Sequence, residues 1–273
     1  MFLVKARKTM IHILVFLFSI TLSSAVYCDQ ITYLIVDDIA KPFQITEEHI
    51  SKGGIISDII DAIFKGSEHT VKVQVLPVKR LYKMVETNAV SDWIAYDARV
   101  WNSLSEWGDF VEEPLFSVNH AYLTCHQNMS QQINSADHIK SHNIAIIENF
   151  KYPELTLLQE NKTIKLHPVK NYQQGIHLAG LNRVDGFVEM ELRLRYNLQQ
   201  EVVSKPCLRF VDMSQIIPAY PIYLSYDSQD KKGIKEFVNK RIKALKKAGV
   251  IDSILNAYTG VEKTSVVQNE RYK

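Results

Sequence analysis

Nine histidines, three cysteines and 30 acidic residues are the raw material for chemistry in this 273-residue chain. His138 and His142 stand four apart, a spacing that can put two imidazoles on one helical face as metal ligands. No third histidine lies close in sequence to complete a set, and a short polar helix with two exposed histidines is the simpler reading. His120 and His126 are six apart along a strand-like stretch and share a face, with nothing else to support a site. The acid pairs Asp37-Asp38, Glu47-Glu48 and Glu112-Glu113 are adjacent, and neighbours along a strand point opposite ways, so they read as solvated loop charges. A GxSxG elbow, a glycine-rich phosphate loop with its lysine and an HExxH helix are all missing. The cysteines, Cys28, Cys125 and Cys207, form no CxxC, which leaves a redox motif or a cysteine zinc site without support. Cys125 and Cys207, both in strand-like segments of the same half, are the disulfide pair to test, and the odd count leaves one thiol over. These residues point away from an enzyme, and no cofactor or metal is called for.

Composition narrows the remaining classes. Hydrophobic residues make up 46% and charged residues 23%, which excludes a disordered tail and a multi-span membrane protein. The length allows one large domain or two modest ones. The net charge is +2, but the first 25 residues hold Lys5, Arg7 and Lys8 and no acid; the rest carries 29 cations against 30 anions. No basic face of the kind that holds a phosphate backbone is left, so nucleic acid is not an expected partner.

The elements that must position any site follow from hydrophobic spacing. Lys5, Arg7 and Lys8 precede the apolar run Met10 to Leu22, then Ser23, Ser24 and Ala25, which is the order of a secretory signal cleaved after Ala25. An uncleaved anchor is the competing reading. Ile31 to Val36 reads as a buried strand opening into Lys41-Pro42-Phe43. Gly53-Gly54 introduces Ile55, Ile56, Ile59, Ile60, Ile63 and Phe64, one apolar helical face stopped by Gly66. Alternating Val71, Val73 and Val75 give a strand, Leu81, Met84 and Val85 a short helix, and Trp93 to Tyr96 another strand. This grammar of a mainly parallel α/β sheet restarts with strands at 121–125, 144–147, 164–167 and 184–188, separated by helices at 135–141, 155–159 and 172–181. A basic amphipathic helix at 233–247 and a last helix at 251–258 close the chain. Two α/β lobes are expected: 26–117 with 225–260, and 118–224. Their crossings fall near Ser117 and Leu224, and a flexible tail covers 261–273.

This order of elements resembles the bacterial periplasmic solute-binding proteins of family 3, which serve polar amino-acid uptake. The residues that carry the resemblance are Pro42-Phe43 after the first strand, Gly54 and Asp58 in the apolar helix, Pro77-Val78-Lys79-Arg80, and Arg183-Val184-Asp185. The closing helices, with Phe237, Asn239 and Ala248-Gly249, complete it. The resemblance implies a type II periplasmic-binding-protein fold whose two lobes hinge shut on a small solute. It also implies the periplasm of a Gram-negative bacterium, a monomer, and an inner-membrane ABC permease as partner.

The resemblance further places the pocket. The ligand-stacking aromatic of the family falls on Ala40, its carboxylate-gripping arginine on Leu104 and its ammonium-binding acid on Met190. A standard α-amino acid in the standard pose is therefore not expected, because unpaired buried charges cost several kcal/mol each. The positions left to line the cleft are Phe43, Arg80, Tyr96, Asp97, Arg99, Asn149, Phe150, Tyr152 and Glu189, with Arg99 the expected holder of an anionic solute. The reading is a protein that captures a small polar solute for an ABC-type importer. The alternatives are a sensing module of the same fold that signals to a partner, and a dehydratase-like enzyme in the cleft.

Overall fold

The computed structural model describes residues 29–259 apart from 102, 149, 201–205 and 231. The expected signal segment, Cys28, Asn149 and the tail beyond 260 lie outside the described residues. Two five-stranded paths form the scaffold, each with a parallel core and antiparallel additions.

In the first lobe, β1 (Gln30–Val36) pairs in parallel with β4 (Thr70–Leu76) and with β5 (Trp93–Asp97). The crossovers are α1 (Ile55–Phe64) and α2 (Val78–Glu86). A two-stranded hairpin, β2 (Thr46–Glu47) with β3 (Ile50–Ser51), precedes α1. The apolar face expected for α1 is what the fold buries, with Ile55, Ile56, Ile59, Ile60 and Ile63 fully inside. They pack with Ile31, Tyr33 and Ile35 and with residues of α6 (Ile234–Lys247) and α7 (Val250–Thr259). Strand β13 (Tyr220–Asp227) returns antiparallel to β5, and pairs as well with β6 (Gly108–Phe110) and β7 (Phe116–Val118).

The second lobe is built from β8 (His120–Thr124), β9 (Asn143–Ile147), β10 (Lys165–Val169), β11 (Gly186–Met190) and β12 (Arg209–Asp212), in the order β10-β9-β11-β8-β12. Strands β9, β10 and β11 are parallel, while β8 runs antiparallel to β11 and β12. Helices α3 (Pro153–Glu160), α4 (Tyr172–Gly180) and α5 (Glu191–Gln199) cover this sheet, with a 3-10 turn at Ala136–Ile139 where a short helix was expected. Cys125 and Cys207 form a disulfide between the ends of β8 and the segment entering β12, closing 82 residues of sequence. In a chain-entropy account, a loop of that length contributes about 4–5 kcal/mol against the unfolded state.

The chain passes between the lobes twice, and the two passages run side by side. The first lies between β7 and β8 at Asn119. The second is the turn after Met213, whose N–H reaches the His120 carbonyl at 3.3 Å. Leu224, expected at the second crossing, instead sits fully buried in the middle of β13. The crossing comes earlier because Tyr220, Pro221 and Ile222 already pair with Val118, Ser117 and Phe116 in the first lobe.

Candidate functional site

The first lobe presents its loop after β1 to the second lobe. Gln44 is buried and ties this loop down, its amide donating to the Tyr33 hydroxyl at 2.8 Å and the Leu34 carbonyl at 3.1 Å. The Phe43 and Pro42 carbonyls accept from the first N–H groups of α1, Ile56 at 2.8 Å and Ile55 at 2.9 Å. Gly54 enters that helix at φ 112°, and a Cβ there would come within 2.7 Å of the Phe43 carbonyl. Only glycine lets the loop and the helix approach so closely. Gly54 and Asp58 also anchor α7: the Gly54 N–H donates to the Tyr258 hydroxyl at 3.0 Å, and that hydroxyl donates to Asp58 at 2.7 Å. These contacts hold the Phe43 ring buried between Tyr96 and Phe116, with centroids 5.7 and 5.8 Å away.

Facing Phe43 from the second lobe is Arg193 of α5, a residue absent from the expected set. It is 4% exposed. Its guanidinium carbon sits 4.9 Å from the Phe43 ring centroid and 5.2 Å from that of Phe150, so an aromatic ring from each lobe covers it. Desolvated cation–π contacts of this kind are worth about 2 kcal/mol or more. Nη1 donates to the Tyr172 hydroxyl at 3.3 Å and lies 3.7 Å from Glu189 Oε1. Nε is buried and has no hydrogen-bond partner among the described residues. Burial opposes the charge, but Tyr172, Glu189, Tyr96 and Tyr152 outweigh it and hold Arg193 protonated.

Glu189 is committed within its own lobe. Oε1 accepts from the Met190 N–H at 2.9 Å and Oε2 from the Tyr152 hydroxyl at 2.8 Å. Burial raises its pKa, against Arg193 and both of those donors. Beside Tyr152 stands His120, 4% exposed, its Nδ1 likewise buried and without a partner among the described residues. Burial, with the charge of Arg193, lowers the His120 pKa to about 4, so the imidazole is neutral at neutral pH. Tyr220 continues the wall, 5.8 Å from His120, and accepts a hydrogen bond from the Trp101 indole at 3.1 Å; Trp101 in turn packs edge-on to Tyr96. Aromatic groups from both lobes and from the crossing thus surround one buried arginine.

Of the expected lining residues, the structure brings Phe43, Tyr96, Phe150, Tyr152 and Glu189 together around Arg193. It does not bring the charged ones of the first lobe there. Asp97 is 1% exposed and spends its carboxylate on the loop that follows, accepting from Ala98 N–H at 2.8 Å and Leu104 N–H at 3.0 Å. Arg99, the expected anion holder, leaves that loop on the outside and stacks on Phe110 and Tyr223 at 4.7 and 4.9 Å. With Ser105, Gly108, Asp109, Tyr226 and Lys235 it lines a shallow surface depression. Arg80 is exposed on α2. Ala40, Leu104 and Met190, the positions where the resemblance placed amino-acid contacts, are buried. His138 and His142 are not paired; His142 accepts or donates at 2.8 Å with Tyr122 and stacks near His126. No cluster of three metal-ligating side chains occurs among the described residues.

Comparison with known proteins supports the fold. Neither a protein-family model nor a curated protein sequence matches the chain. Solved structures do. The periplasmic VFT2 domain of Bordetella pertussis BvgS is similar over 84% of this chain and 93% of its own, at 15% identity and a TM-score of 0.62. A structure from work on glutathione import through GshT and the cystine ABC importer TcyBC of Streptococcus mutans covers 85% and 95%, at 18% identity and 0.63. The amino acid ABC transporter substrate-binding protein AbpA of Streptococcus pneumoniae, bound to L-arginine, covers 85% and 94%, at 15% identity and 0.59. The expected two-lobe periplasmic-binding-protein fold is thereby established.

Proposed function

We propose that this chain is a periplasmic solute-binding protein that closes its two lobes on a small polar solute and delivers it to an ABC-type importer. The observation that carries the reading is the Arg193 group. It lies where the lobes meet and is walled by rings from both. It also holds two buried polar atoms, Arg193 Nε and His120 Nδ1, without partners among the described residues. Buried donors left unpaired cost about 1–3 kcal/mol each, and a captured solute is the group that relieves them. The likeness to substrate-binding proteins of amino acid importers supports the same reading. Export fits the signal-like start of the sequence and the finding that no described helix is long and apolar enough to cross a membrane.

The test is a thermal-shift screen of the purified protein against amino acids, polyamines, organic acids and short peptides, followed by small-angle scattering. A true ligand at 100 times its dissociation constant adds about 2.7 kcal/mol of stability, and it should change the lobe separation. Failure of every class to stabilise the protein would overturn the proposal. A second reading, a sensing module reporting to a partner, is favoured by one feature: Arg193 already links the lobes through Phe43, so closure does not wait for a solute. A lobe separation that is the same with and without the screened ligand would favour sensing over delivery.

A further inference from the structure

Resting on the solute-binding reading, we propose that the solute is a small carboxylate-bearing anion without an amino group, taken by the Nε edge of Arg193 and by His120.

Phe43 and Phe150 crowd the guanidinium from one lobe each, with ring centroids 4.9 and 5.2 Å from its carbon, so its edges are what a ligand would meet. One of its nitrogens, Nη1, already faces Tyr172 and Glu189. The Nε side is buried and has no partner among the described residues. The Tyr96 hydroxyl also hydrogen-bonds the guanidinium, so the Nε N–H is the charged donor left for a ligand, and a carboxylate oxygen is the acceptor that such a donor binds most strongly. His120 adds a neutral ring nitrogen within the same walls, able to donate in the tautomer that carries its proton on Nδ1. The imidazole and the phenols of Tyr96 and Tyr172 supply polarity around the anion without adding charge.

The exclusion of an amino group comes from the acids. A buried ammonium is stabilised chiefly by an opposing charge with hydrogen-bonding capacity left for it, and the carboxylates near this site are already engaged. Glu189 has one oxygen taken by a backbone N–H and the other by Tyr152, both from its own lobe, and Arg193 stands beside it. Asp97 spends both of its oxygens on Ala98 and Leu104. The position where the resemblance placed an ammonium-binding acid is Met190, which packs into the first-lobe core.

The discriminating experiment is calorimetry on the full protein with matched probes: pyruvate and benzoate, the corresponding amides, and alanine and phenylalanine. The carboxylates should bind, and both the amides and the amino acids should bind at least about thirtyfold more weakly, the loss expected when one partner of a buried charged contact is removed. Arg193→Lys should lower carboxylate affinity by about thirtyfold or more, and Arg99→Ala should leave it unchanged. Because the wild-type ligand series gives the answer alone, a failure of Arg193→Lys to fold does not remove the test. Amides or amino acids binding as tightly as the carboxylates would overturn this inference while leaving solute binding standing. No binding by these probes, together with no hit among the other solute classes, would overturn both.

Discussion

Two arginines in this molecule have the same immediate surroundings and opposite circumstances. Arg99 and Arg193 each contact two aromatic rings at 4.7 to 5.2 Å from the ring centroids, Arg99 on Phe110 and Tyr223, Arg193 on Phe43 and Phe150. Arg99 is exposed at the edge of the first-lobe sheet, and its rings come from neighbouring strands of one sheet. Arg193 is buried, and its rings come from different lobes. At the surface, water competes with every contact and the stack is worth about 0.5–1 kcal/mol. In the cleft the same stack becomes a tie between lobes, and an unpaired N–H becomes a reason to take a ligand. Depth, not residue type or ring count, separates the surface arginine from the one proposed to bind.

The largest expected effect comes from removing the deep one. Arg193→Ala leaves Glu189 buried beside no cation, and the loss of one partner of a buried pair costs about 3–5 kcal/mol. Urea unfolding should show it, and a loss below about 1 kcal/mol would erase the contrast between the two sites.

Next is the acid response of the cleft. The His120 pKa is about 4 in the fold against an ordinary 6.5, so between these values the unfolded chain binds a proton that the folded one refuses. Stability from this group is complete above about pH 6.5 and declines as the pH falls, by roughly 3 kcal/mol at pH 4. Other groups titrate over the same range, so the measurement is the difference between wild type and His120→Phe from pH 7 to 4. Parallel curves would show that His120 is not held neutral.

The smallest effect belongs to the surface. Arg99→Ala should cost no more than about 1 kcal/mol and should not alter the scattering profile with or without ligand. A larger loss would mean that the outer stack holds more than a loop.

What was legible in the sequence follows from the same contrast. The isoleucine spacing of α1 and the alternating valines of β4 mark their buried faces, and both elements are found there. The proposed Cys125–Cys207 pair exists. Phe43, Tyr96, Phe150, Tyr152 and Glu189, which gather around Arg193, were expected only through the resemblance, which places those positions beside the cleft. Helix α5 was not legible. Its segment, ELRLRYNLQ, has leucines at 192, 194 and 198, and its buried positions include Arg193 and Asn197. A buried charge breaks the apolar stripe that reveals a helix, so the residue central to the cleft concealed its own element. Strand β13 was hidden likewise, by Pro221 and by polar Ser225 inside it. The resemblance placed Arg99 in the cleft, because the family lines its pocket from the loop after β5. Counting along a loop does not show that Asp97 captures the Ala98 and Leu104 N–H groups and sets its path.

The most direct test of the account compares the Nε–Hε resonances of the two arginines by nitrogen-15 NMR, assigned through Arg193→Lys and Arg99→Lys. On titration with the carboxylate that stabilises the protein most, the Arg193 signal should shift downfield to saturation as its donor gains an acceptor, while the Arg99 signal stays in place. A saturable shift at Arg99 with Arg193 unmoved would contradict the claim that the solute is held between the lobes at Arg193.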